Sequence, residues 1–197
     1  MSAPSEFDLS HLVVDAVRRE FERYRVLLLG STQQLTPRQW VERPGTEQNS
    51  IAILFQHLAG NLRSRFDEFL TTDGEKPSRN RDAEFEAPTS SASPEALVAR
   101  LNAELAESWQ ALHHALDEVE RASALGQTIT IRGVELRVAE ALQRSLAHVA
   151  YHTGQVVQLA RMWRGTEWKS LSIPAGGSAA YNQDPTRERA PDAERSS

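Results

Sequence analysis

The stretch HVAYHTGQ, residues 148–155, sets His148 and His152 four apart in a chain with six histidines and no cysteine. On a helix such a pair projects from one face, one turn apart, so two imidazoles can share a metal ion. HExxH helices use this logic, but they need a Glu directly after the first His, and Val149 stands there. The general base of a zinc peptidase is therefore missing. Ser145, His148, His152 and Gln155 form one line, bordered by Leu142, Val149, Val156 and Leu159, at the edge of an apolar face. A third ligand has to come from another helix. His57, between Leu54, Leu58 and Asn61, is the other histidine embedded in an apolar helix face. Spacing alone leaves two readings open: a three-histidine metal site, or buried histidines paired to backbone or carboxylate. His113 and His114 point about 100° apart on their helix and read as surface residues. His11 reads as structural.

These residues have to be carried by helices. Leu12, Val13, Val17, Phe21, Tyr24 and Leu28 form a helical stripe that predicts a first helix over residues 9–34, with Asp8 or Ser10 as its cap. TPRQW restarts a short turn, and RPG at 43–45 breaks the chain again. A second helix starts at Asn49-Ser50 and carries Ile51, Leu54, Phe55, Leu58, Leu62, Phe66 and Phe69 inward, ending at the TTDG turn. Residues 71–93 form a polar loop of a length that is uncommon within a compact domain. Ser93-Pro94-Glu95 opens a third helix that runs to Val119: a cap, a proline in the first turn and an acid. QTITIRGVELRV alternates around Arg-Gly and reads as a small hairpin or an extended lead-in. A fourth helix covers 137–164, with Gly165 as its C-cap.

Four single-sided apolar stripes predict an all-α chain, a four-helix bundle with a long crossover loop after the second helix. Residues 1–181 are expected to form one domain. Residues 182–197 are polar and proline-bearing, and are expected to be a flexible, disordered tail. Trp40, Trp109, Trp163 and Trp168 are assigned to core or interface.

Composition removes several functions. Without cysteine there are no zinc-finger thiolates, no thiol catalysis and no disulfides. A net charge of -5 argues against general nucleic-acid binding. No signal-like segment and no run of about 18 apolar residues is visible, so the expected location is cytoplasmic, without a membrane span.

"FQHLAGNLRSRF", "LTTDGEKPSRNRDAEF", "RSLAHVAYHTGQVVQLARM" and "LSIPAGGSAAYN" together resemble the DinB-like superfamily, within it a branch of unknown function. The resemblance spans nearly the whole chain, to about Asn182. It implies a four-helix bundle, usually a homodimer, that holds one divalent ion, zinc or nickel, on three histidines of the second and fourth helices. The matching positions are His57, His148 and His152. It further implies a metal-dependent transferase that uses a low-molecular-weight thiol such as bacillithiol or mycothiol. The alternative is a stress-linked helical scaffold whose metal is structural, because fold alone does not set function.

Around such a site, Asn61, Ser145 and Gln155 are candidates to orient ligands or substrate. For Asn61 a buried amide that satisfies backbone groups is an equal reading. DGEKPSRNRD is either a solvated loop or a cover in which Arg79 or Arg81 holds an anionic group of the cosubstrate. Arg65, two turns beyond His57, is placed to tether this loop, and SIPAGG is a candidate second wall of the pocket. DNA binding, suggested only by the superfamily's name, is disfavoured by the acidic charge.

Overall fold

A computed structural model of the protein describes residues 9–88 and 93–186. It is mostly helical, with one small sheet. The long helices are α1 (Leu9–Thr32), α3 (Ile51–Phe66), α4 (Pro94–Arg121) and α5 (Val138–Arg164); the short ones are α2 (Pro37–Val41) and α6 (Ser178–Tyr181). Strands β1 (Thr128–Ile131) and β2 (Val134–Arg137) pair antiparallel, with Ile129 opposite Leu136. The hairpin reading of QTITIRGVELRV is the one adopted. Its two-residue turn holds Arg132 at φ 57° and Gly133 at φ 72°, the left-handed pair that a tight hairpin demands.

Capping follows the sequence signals. Ser50 Oγ accepts from Ile53 N–H, and Ser93 Oγ from Ala96 N–H. Glu140 reaches back to the Arg137 N–H at the start of α5. Gly165, at φ 56°, ends α5 while its N–H still reaches Arg161 O. The first and third predicted helices shift by two residues at their ends, to Thr32 and Arg121, and one boundary differs more. The second predicted helix stops at Phe66 instead of running on to the TTDG turn. Asp67 leaves helical geometry, and Glu68 takes φ 50°. Phe69 is nevertheless buried, because the turn folds its ring back onto Phe66, with centroids 5.1 Å apart. Periodicity registers the burial of Phe69 but cannot tell a turn from another helical step.

α3 is buried nearly all round, as expected of a helix covered on most sides. It packs on α4 and α5, while α1 packs on α5 and α4. Phe21 sits at the centre of the core, edge-on to Phe66 at 6.2 Å and to Trp109 at 6.3 Å. Trp40 and Trp109 are core residues, and Trp163 and Trp168 lie partly buried against the core. After α6, residues 182–186 make further turns, including Asn182 N–H to Ser178 O. The remainder of the expected tail, 187–197, lies outside the described residues, as do Asp8 and positions 89–92. No described helix is long and apolar enough to cross a membrane.

Phe21 is fully buried and touches two other rings. Phe21→Ala is expected to lower the unfolding free energy by about 3–5 kcal/mol in urea titrations, through lost burial and the cavity left behind.

Candidate metal centre

α3 and α5 each turn one polar stripe toward the other. His57 of α3 is 2% exposed and His152 of α5 is 7% exposed; His148, one turn before it, is partly buried. The ring centroids of His57, His148 and His152 lie 4.5–5.1 Å apart pairwise. One ligand nitrogen from each falls within 4.8 Å of the other two. The structure thus brings together the three histidines that the sequence singles out.

Two of the three tautomers are set by partners outside the cluster. His57 Nδ1 lies 2.8 Å from Glu84 Oε2; an ionised carboxylate only accepts, so Nδ1 carries the proton and Nε2 turns its lone pair inward. His152 Nδ1 lies 2.8 Å from Gln155 Oε1, which fixes the same tautomer. His148 Nε2 stands 3.1 Å from His57 Nε2, while its Nδ1 is buried without a partner among the described residues. Nitrogens held at about 2.0–2.1 Å from a tetrahedral zinc lie about 3.4 Å apart, close to this spacing. The donor set, three imidazoles of which two turn their lone pairs inward, with no thiolate, fits zinc, nickel, copper or iron.

Glu84 comes from a single 3-10 turn, Ala83–Phe85, held against α3 by Gln56 Nε2, which donates to Ala83 O and Glu84 O. Arg79 grips the same carboxylate with Nε to Oε1 at 2.7 Å and Nη2 to Oε2 at 2.8 Å. Burial alone would push the Glu84 carboxyl up, but the Arg79 and His57 hydrogen bonds outweigh it and hold it below the usual value. Gly60 makes room: a Cβ there would stand 2.3 Å from Glu84 Oε1. Phe85 covers the His57 ring at 4.5 Å, and exposed Tyr151 borders His152 at 4.9 Å.

The other expected residues divide. Gln155 orients the His152 ring. Asn61 and Ser145 are buried on the same stripes, and neither hydrogen-bonds a histidine ring. Arg65 does tether the loop, by Nη1 to Glu75 Oε2 at 2.9 Å. Arg79 is already committed to Glu84 and Glu75, with its side chain 4% exposed, so it is not free to hold an anionic cosubstrate. Arg81 is exposed, its guanidinium 5.1 Å over the Phe85 ring. Among the described residues, no hydrogen bond or ring contact joins SIPAGG to the three histidines. Leu171 just before it packs on Gly30, and Lys169 pairs with Gln34, beyond the end of α5 and roughly four turns from His148. Glu84 escapes sequence reasoning. The available signal was Gly60, a helix-interior glycine near His57, which is costly unless something approaches closely.

A family model described as protein of unknown function (DUF1572) matches residues 8–177. No curated protein and no solved structure matches the chain.

Burial, and next the charges of His152 and His57, push the His148 imidazole down to about 3. Burial likewise lowers His152, against the hydrogen bond it donates to Gln155. Unfolded, these rings take up protons below about 6.5; folded, they resist. The stability tied to their neutral form is therefore complete above that pH and is lost as pH falls toward the depressed folded values. The urea midpoint of chelator-treated protein is expected to drop between about pH 7 and pH 5, and His148→Gln to flatten that dependence.

Proposed function

We propose that this chain, which belongs to the DUF1572 family of proteins of unknown function, binds one divalent metal ion, zinc or nickel, on His57, His148 and His152. The supporting observation is the convergence of three imidazoles, two of them locked by Glu84 and Gln155 with their lone pairs inward. Within this proposal the four long helices are a four-helix bundle of the DinB-like type, and the protein acts as a cytoplasmic homodimer. Exposed Tyr151 and Met162 on α5 are consistent with a partner surface.

Three protein ligands with coordination positions left over mark catalytic rather than structural sites. A divalent ion supplies Lewis acidity there, enough to keep a coordinated thiol or water deprotonated near neutral pH. The reaction that fits is transfer to a low-molecular-weight thiol of the bacillithiol or mycothiol kind. Its thiolate attacks an electrophilic carbon, a C–S bond forms, and the leaving group departs with the bonding electron pair. With no cysteine in the chain, the sulfur has to come from the cosubstrate. His57, His148 and His152 hold the ion, Glu84 and Gln155 orient two of the rings, and Phe85 screens His57 from water. Arg81 forms no ion pair among the described residues and stands beside this screen, where its fork suits a carboxylate of the thiol.

One observation favours a second reading, a binding or scaffold protein with a structural metal. Glu84, the acid at the histidines, is neutralised by Arg79 and so offers no free general base.

Elemental analysis of purified protein is expected to find about one zinc or nickel per chain. His57→Ala, His148→Ala and His152→Ala should each release it; wild-type metal content in all three defeats the proposal. Titrating thiols into the cobalt-substituted protein separates the two readings, because a structural site leaves the visible spectrum unchanged. If transfer is found, Arg81→Ala should raise KM for an anionic thiol about tenfold with kcat little altered.

A further inference from the structure

Residues 73–85 have little apolar packing of their own; their place is set by charged hydrogen bonds. Both oxygens of Asp73 serve the hairpin turn: Oδ1 accepts from Arg132 N–H and Oδ2 from Gly133 N–H, each at 2.8 Å. Oδ1 also accepts from Glu75 N–H at 2.7 Å. Gly74 N–H donates to Thr130 O of β1 at 2.8 Å, and Ser64 Oγ donates to Gly74 O at 2.9 Å. A Cβ at Gly74 would press on Ile131 Cγ1 at 3.0 Å. Glu75 Oε2 then gathers Arg65 of α3 at 2.9 Å, Arg132 of the hairpin turn at 3.2 Å and Arg79 of the loop at 3.3 Å. Arg79 passes the connection to Glu84, and Glu84 to His57 Nδ1.

A cleft of about 370 Å³ lined by Gln56, Gly60, Lys76, Arg79 and Glu84 flanks this segment. A segment held by polar bonds beside such a cleft opens locally at far lower cost than the helices do. When it opens, Arg79 and Glu84 withdraw together, and the His57 ring loses the acceptor that fixes its tautomer. A ligand that needs the fixed tautomer binds the closed form better, and linkage makes the effect reciprocal.

We propose that residues 73–85 form a latch whose closure on the β1–β2 turn sets the affinity of the three-histidine site for its metal. Asp73, Glu75 and Arg79 are in this sense positioning residues: none contacts the ion, and each acts through Glu84. The inference rests on the metal reading above. It assigns to the hairpin, which packs Ile129 into the core, the task of anchoring the far end of the relay.

The test is zinc binding by competition with a chromophoric chelator, with hydrogen exchange followed across residues 73–85. Glu84→Gln should weaken zinc about tenfold, as loss of a ligand's carboxylate partner does elsewhere. Asp73→Ala, remote from every ligand, should weaken it several-fold, while Glu107→Ala, which breaks a surface pair with Arg63, should leave it unchanged. Wild-type amides in 73–85 should exchange more slowly once zinc is added, and those of α4 at the same rate. Thermal melts without metal establish that Asp73→Ala is folded. An unaltered zinc Kd in folded Asp73→Ala overturns the latch, and so does loop exchange in the wild type that ignores zinc. If the wild type binds no zinc or nickel at all, the metal reading falls and takes the latch with it.

Discussion

The Glu84 carboxylate is shared between a guanidinium and an imidazole, and much of the site depends on that sharing. Taken alone, a buried carboxylate would neutralise rather than stay charged. Two hydrogen bonds from Arg79 and one from His57 keep it ionised. Its charge in turn holds the His57 proton on Nδ1 and leaves Nε2 free to face His148 and His152. The arrangement also dictates what surrounds it. α3 must carry glycine at position 60, and the loop after α3 must turn back to bring residue 84 over residue 57.

The three rings are supported unequally, and the inequality has chemical content. A carboxylate makes His57 the most electron-rich donor, the Gln155 amide makes His152 an ordinary one, and His148 has no partner at Nδ1 among the described residues. Since both neighbours turn lone pairs inward, the proton of the His148 ring rests on Nε2 when it points at His57 Nε2. Coordination through that nitrogen requires the proton to leave or to move to Nδ1. In the proposed metal site His148 would thus be the ring whose proton has to shift most on binding.

Much of the helical framework is legible in the residues themselves. Ser50, Ser93-Pro94 and Gly165 act as the terminators their chemistry suggests, and the stripes of α1, α4 and α5 face the core except at Leu12, which is exposed while Val14 is buried in its stead. Where local pattern misleads, the cause is a turn that mimics a helix. Phe69 continues the apolar period of α3 although the helix has ended at Phe66. Arg79 and Arg81 look equivalent in DGEKPSRNRD. Only folding distinguishes them, by burying one against two acids and leaving the other exposed on Phe85.

The sequence by itself determined the helical class, the i,i+4 histidine pair and the candidacy of His57, because periodicity and caps are local properties. Whether three imidazoles converge, and with which nitrogens, was decided only by tertiary structure. The partners that settle this for His57 come from a turn 27 residues away, and no local period encodes such a distance. Gln155 stands three residues from His152 on the same helix, so its role could be read in advance; Glu84 could not.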